Sequence, residues 1–212
     1  MLDSQGNQAI PPQFIILRSE LLFDSVASFG ISGNGIDWGK DFSIPKNTIA
    51  IQAVAADEGR NHFDLQSIKF SDGTLANPNW IEQSFAGAHS DILGSYAQGY
   101  QGKNNDIQFY TLNWMANQAN QSIPPLNEGE RIFQPVPQNQ QPSPYFEAMY
   151  NLYNQASTTY NQNPNEENKI TLDAAKSILN DKYIHSEDWS APWNYNIGSG
   201  RGVFYPNDQL LK

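Results

Sequence analysis

The chain has 212 residues, enough for one domain or one domain with an appendage. With 22 acidic against 12 basic residues its net charge is -10, which argues against nucleic-acid binding through phosphate contacts. Hydrophobic content of 39% with only 16% charged residues describes a globular chain with long polar loops, not a coiled coil or a disordered acidic tail. Cysteine is absent, so disulfides and thiolate metal sites are excluded and the redox compartment stays open.

Met1 to Gly6 carries neither a basic n-region nor an apolar h-region, so no signal peptide is expected. No apolar run approaches the roughly 18 residues of a spanning helix. The expectation is a cytoplasmic chain as synthesised, with secretion independent of a signal peptide as the alternative.

Two apolar pieces, Phe14 to Leu17 and Leu21 to Phe23, read as a buried strand interrupted by Arg18-Ser19-Glu20. Gly30 to Gly39 is a loop rich in Gly, Asn and Asp. Asn47 or Thr48 then caps a predicted helix through Ile49, Ile51, Ala53, Val54 and Ala56 to Asp57 and Glu58. Ser71-Asp72-Gly73 and Asn77-Pro78-Asn79 are turn signals before a strand over Trp80 to Ala88.

Helical spacing of Ile107, Tyr110, Thr111, Trp114 and Met115 predicts an amphipathic helix over 106–119. Residues 122–144 are rich in Pro and Gln and read as a connector. A further helix is expected near 144–158, and another capped by Thr171 with Leu172, Ala175, Ile178 and Leu179 on one face. The aromatic, glycine-rich stretch from Trp189 to Pro206 has room for a short strand at Gly202 to Tyr205. Its aromatic residues read as core, with a lipid- or sugar-facing surface as the alternative. Strand-helix-strand-helix order over 14–119 implies parallel strands with helices across the faces. Two strands do not complete a sheet, so the reading is the C-terminal part of an α/β domain.

Two apolar runs end abruptly in residues with chemistry: Leu21-Leu22-Phe23 in Asp24, and Phe85 to Ala88 in His89. In open α/β sheets functional groups gather at the carboxyl ends of strands. An Asp followed by a His, each at a strand end, matches the last two members of the chain order Ser, Asp, His. In that reading Asp24 holds the imidazole tautomer and His89 acts as general base and then general acid. The plainer readings are a strand-end turn cap for Asp24 and a buried histidine on a backbone partner for His89. Metal chemistry with His89, Asp91, Asp24 and Glu58 is the competing alternative, but two ligands at i, i+2 recur by chance and no metal is expected. No Gly-x-Ser-x-Gly occurs: Gly30-Ile31-Ser32-Gly33-Asn34 fails at its last position, and Ser199 follows Ile197 where Gly is required.

Four blocks, in order over residues 21–119, resemble one known family. Phe23 to Gly30 is similar to its Asp-Thr-Val segment after a strand, and Ala50 to Phe63 to its helix ending in Asp-Glu-Arg-Arg with a downstream Phe. Phe85-Ala86-Gly87-Ala88-His89-Ser90-Asp91-Ile92-Leu93-Gly94-Ser95-Tyr96 is similar to its Phe-Ala-Gly-Val-His-Ser-Asp-Val-Gly-Gly-Gly-Tyr block. Leu112 to Met115 and Ala119 match its following helix. The chain thus resembles an α/β-hydrolase domain family that includes the catalytic domains of type VI secretion phospholipase effectors.

The resemblance implies a serine esterase or phospholipase ancestry, with Asp24 and His89 as triad members and Ser90 and Asp91 as neighbours of undefined role. It departs from the family where Leu93-Gly94-Ser95 replaces a triple glycine and Gly59 replaces the first Arg of the pair. Asp57, Glu58 and Arg60 match a family motif, but their charge spacing alone reads as a solvated helix end. Tyr183 to Asp188 resembles a late His motif in lipase-like effectors, which leaves His185 as the alternative base. His62 reads as a surface residue.

The expected architecture is therefore an incomplete α/β-hydrolase-type sheet over 1–121, a connector over 122–144 and a helical extension with an aromatic tail over 145–212. The expected activity is ester hydrolysis by a site that carries Asp24 and His89 but lacks the serine, inactive alone: a truncation, a remnant, or a split product completed by an upstream chain. A non-catalytic binding or immunity-like protein that kept the fold is the rival. No cofactor is expected, and the expected partner is a lipid or other ester.

Overall fold

The computed structural model describes residues 17–26, 44–60, 63–125 and 127–185, and the backbone of 203–204. Three parallel strands form the main sheet: β1 (Ser19–Phe23), β2 (Ile49–Ala55) and β4 (Ile81–Phe85), in the spatial order β1-β2-β4. Register pairs Phe23 with Ala53 and Ala55 with Phe85, so all three strands end at the same edge. A second pair, β3 (Leu65–Gln66) with β5 (Val203–Phe204), is also parallel. The mixed α/β architecture with an open parallel sheet is the one expected.

Residues 49–55 are the central strand, not the helix the sequence suggests. Helices on one side and an irregular layer on the other cover both faces, so nothing enforces the alternation of a half-buried strand. The Ile-Ala-Ile-Gln-Ala-Val-Ala run is continuously buried from Ala50 onward, and its apolar residues mimic helical spacing. Ile51, Ala53 and Ala55 face one side, in a core with Phe85, Ile92, Ile107 and Met115. Ala50 joins Ile44, Ile68 and Trp80 in a second cluster. The connection from β2 to β4 belongs to that second layer. It is an irregular segment with β3 and two Asx turns, in which Asp72 Oδ1 accepts from Thr74 N–H and Asn77 Oδ1 from Asn79 N–H, both at 2.8 Å. Trp80 closes the segment by donating its indole N–H to Thr48 O at 2.6 Å.

Among the described residues four α-helices follow. A short one, α1 (His89–Leu93), begins directly after β4, and α2 (Asp106–Ser122) buries Ile107, Thr111, Met115 and Ala119 at strict i, i+4 spacing. The long helices α3 (Pro144–Gln162) and α4 (Glu166–Lys182) pair with each other, and Phe146, Tyr150, Leu179 and Tyr183 enter the same core as Ile51 and Phe85. The start of α3 is written locally, since Ser143 Oγ accepts from Phe146 N–H at 3.2 Å and Pro144 holds the first position. The cap of α4 is Asn165, whose Oδ1 accepts from Asn168 N–H at 2.9 Å. Thr171 lies inside that helix and donates to Glu167 O, so the sequence-based start was one turn and more too late. Glu166 and Glu167 favour the earlier start by facing the positive end of the helix.

The expected strand near 203 is present as β5. Expectations for Phe14 to Ile16, the Gly30–Gly39 loop, His62, Ser32, Ser199 and most of the aromatic tail lie outside the described residues. No described helix is long and apolar enough to cross a membrane.

Candidate functional site

Asp24 is the first residue beyond β1, and the chain turns there with φ of 46°. This left-handed region suits few non-glycine residues, Asp and Asn among them. The turn aims a fully buried carboxylate across the tip of β2. Oδ1 accepts from Ala55 N–H at 2.8 Å, and Oδ2 lies 2.8 Å from His89 Nδ1. The tips of β1 and β4 flank β2, two strand spacings apart or roughly 9–10 Å. The carboxylate and the imidazole therefore meet over the end of the central strand, where Ala55 leaves room. They are near neighbours through one intervening strand, not members of adjoining strands.

His89 opens α1 after the Gly87-Ala88 bend. Gly87 has φ of 132°, and a Cβ there would approach Asp91 Cβ to 3.0 Å. Its N–H donates to Asp57 Oδ2 at 2.9 Å, and Lys176 Nζ on α4 holds the other oxygen of Asp57 at 2.6 Å. Burial alone lowers the Lys176 pKa, but the Asp57 carboxylate outweighs it and holds the value above the usual lysine range. The strand-to-helix bend is thus tied to α4 through one ion pair.

The imidazole of His89 is mostly buried, with 15% of its side chain exposed. Donation from Nδ1 to the acceptor-only carboxylate of Asp24 leaves the lone pair on Nε2. Among the described residues Nε2 has no hydrogen-bond partner. This is the arrangement a general base needs: one nitrogen fixed by an acid, the other open to a proton donor.

Glu58 stands behind His89, not in solvent. Its Oε2 accepts the His89 backbone N–H at 3.2 Å, while Arg60 grips the carboxylate with Nε at 2.8 Å and a terminal nitrogen at 2.7 Å. Burial pushes the Glu58 carboxyl up, but the hydrogen bonds and charge of Arg60 outweigh it and hold the carboxyl below its usual range. The Arg60 guanidinium sits 3.5 Å over the Phe63 ring, and Phe63 meets the His89 ring edge-on at 5.1 Å. Sequence reasoning missed this role because charge spacing cannot show that β2 ends beneath the bend that carries His89.

Asp91 turns away from the Asp24–His89 pair. Its Oδ2 accepts from Ala88 N–H at 2.9 Å, which caps α1, and Oδ1 lies 2.5 Å from His185 Nδ1. Burial pushes the Asp91 carboxyl above its usual range, against the hydrogen bonds from Ala88 and His185. His185 is 2% exposed, its Nε2 donates to Tyr100 O at 3.0 Å, and its ring stacks on Tyr96 at 4.1 Å. Both ring nitrogens of His185 are therefore engaged inside the protein. Ser90 supplies a backbone carbonyl that accepts from the N–H groups of Gly94 and Ser95, closing α1. Gly94, with φ of 78°, is the one position of the Leu93-Gly94-Ser95 segment that requires glycine.

Beside β1 and α1 runs an apolar groove of about 360 Å³, lined by Phe23, Ile92, Leu93, Phe109 and Leu112 among others. Phe23 precedes Asp24, and Ile92 follows His89 by one helical turn. No group of three metal-ligating side chains gathers among the described residues.

No curated protein and no solved structure matches the chain. The family model described as the type VI secretion system (T6SS) phospholipase effector Tle1-like catalytic domain matches residues 13–118, which contain all three strands of the main sheet, α1, most of α2, and both Asp24 and His89. The chain therefore belongs to the Tle1-like phospholipase effector catalytic-domain family, whose substrates are lipids.

Proposed function

We propose that this chain carries the acid and base of a serine ester hydrolase of the α/β-hydrolase type, with the nucleophilic serine supplied from outside these 212 residues. Asp24 orients His89 and stabilises the imidazolium. His89 Nε2 takes the proton of the serine hydroxyl as it attacks the ester carbonyl, then returns it to the departing alcohol. Water repeats the cycle on the acyl-enzyme. The observation that carries this reading is the 2.8 Å Nδ1 to Oδ2 pair over the end of β2, with Nε2 unpartnered among the described residues. His89 is preferred to His185 because both nitrogens of His185 have partners in the protein. The apolar groove beside β1 and α1 supports an acyl chain as the bound part of the substrate.

The absence of Gly-x-Ser-x-Gly from the sequence supports an external nucleophile and an inactive chain in isolation. The strained elbow of that motif both exposes the hydroxyl and places N–H groups for the oxyanion. The rival reading, a binding or immunity-like protein on the same fold, rests on the same absence. An esterase assay separates them. The chain alone shows no turnover of a fluorogenic fatty-acid ester or a phospholipid vesicle. Mixed with the polypeptide encoded directly upstream, it gains activity that His89→Ala abolishes. Turnover by the chain alone that a serine-reactive phosphonate stops would refute the external nucleophile. A mixture without turnover, whichever upstream segment is supplied, favours the binding protein.

A further inference from the structure

We infer that Glu58, Arg60 and Phe63 form a clamp that positions the His89 imidazole, a role that rests on His89 being the base. The four residues close a ring of contacts. The His89 N–H donates to Glu58, Arg60 holds Glu58 through two guanidinium hydrogen bonds, the same guanidinium sits over the Phe63 ring, and Phe63 makes a T-shaped contact with the imidazole. One side chain, Arg60, thus controls both the backbone and the ring of His89.

The physical need follows from where His89 stands. As the first residue of a five-residue helix it has an N–H without an intrahelical acceptor. Asp91 satisfies the neighbouring Ala88 N–H, and Glu58 satisfies that of His89. A buried carboxylate left free to rotate would break that bond, and the planar, two-pronged guanidinium is the cation that prevents rotation. The Asp24 bond fixes one edge of the imidazole but permits rocking about that bond. The Phe63 ring, in T-shaped contact with the imidazole at 5.1 Å, limits that rocking. Among the described residues, the charged groups bearing on His89 are Asp24, just beyond β1, and the Glu58–Arg60 pair from the segment after β2. Asp57, Lys176 and Asp91 act only on the backbone before and after it. A latch that merely tied the loop to the sheet would need the Glu58 bond alone, with no aromatic ring between the cation and the imidazole.

The test is long-range proton–nitrogen NMR of the whole 15N-labelled chain, whose three histidines are assigned with His62→Gln and His185→Gln. The wild type shows His89 as one sharp Nδ1–H tautomer. Arg60→Lys keeps the charge but neither the fork nor the guanidinium over the Phe63 ring, so the minor tautomer of His89 rises about tenfold, equivalent to ~1.4 kcal/mol, with exchange broadening. Arg60→Ala does the same or more, and Glu58→Gln, which keeps an acceptor for the His89 N–H, does less. Thermal melts on the same samples separate positioning from stability. Arg60→Lys and Arg60→Ala spectra that keep the wild-type His89 tautomer and line width, whatever the melting temperature, overturn the clamp. A wild-type spectrum without the Nδ1–H tautomer overturns the base assignment itself, and the clamp with it.

Discussion

Replacing Gly87 by Ala is the most severe single-methyl change the site offers. The backbone there has φ of 132°, outside the regions open to L residues, and the new Cβ lies 3.0 Å from Asp91 Cβ and 3.5 Å from Ile107 Cδ1. Neither neighbour yields cheaply, because Asp91 is fixed to Ala88 and His185, and Ile107 sits in the core. Backbone strain of ~1–3 kcal/mol and an overpacking cost of about 1–3 kcal/mol add to roughly 2–6 kcal/mol. At about 2–4 °C per kcal/mol for a chain of this size, the melting temperature falls by roughly 4–24 °C. Relaxation of the bend would also pull the Gly87 N–H from Asp57 and shift His89. Gly59→Ala is the control, since a Cβ at Gly59 meets nothing within 4 Å among the described residues and the residue has no positive φ. Calorimetry should show Gly59→Ala unchanged or raised by up to ~1 kcal/mol of stability. A Gly87→Ala protein melting within about 2 °C of wild type, where 1 kcal/mol moves the midpoint by that much or more, would refute the strained bend.

Two further perturbations read the supports of the site. Tyr150→Phe removes the hydroxyl that accepts Ala86 N–H at 3.0 Å and leaves a buried donor unpaired, a loss of ~1–3 kcal/mol measurable by urea unfolding. An unchanged midpoint would mean that Ala86 finds another partner. The Glu58 carboxyl titrates below its unfolded value of 4.5, so its share of stability is present above that pH and is lost as pH falls through the folded value. Asp91, raised by burial, acts in the opposite sense. The difference in melting temperature between wild type and Glu58→Gln isolates the first effect, and should shrink on acidification below about pH 4.5. A difference that does not vary with pH would show that Arg60 does not stabilise the Glu58 carboxylate.

The sheet ends were legible because apolar runs that stop at a titratable residue mark strand tips, and this put Asp24 just beyond β1 and His89 shortly after β4 from residues alone. The helices α2 and α3 were legible because each buries one stripe at helical spacing. The central strand was not. Burial on both faces erases alternation, and the three alanines and two isoleucines within Ile49–Ala55 fit either period. That error hid the position of Glu58, since a residue after a helix points to solvent whereas one after this strand lies beneath the His89 bend. The cap of α4 was misplaced because Thr171 is a plausible cap by type, while Asn165 satisfies the helix start in space. The engagement of His185 was hidden for a different reason: its partners, Asp91 and Tyr100, come from segments far earlier in the chain.

If Asp24 orients His89 as a base, the proton on His89 Nδ1 reports it directly. Solution NMR of the wild-type chain should show a strongly downfield, slowly exchanging Nδ1–H and an unprotonated Nε2 at neutral pH. Asp24→Asn, which tolerates the same left-handed backbone and can still accept from Ala55, should move the proton to Nε2. An Nε2–H tautomer in the wild type, or an Nδ1–H resonance that Asp24→Asn leaves in place, would contradict that role.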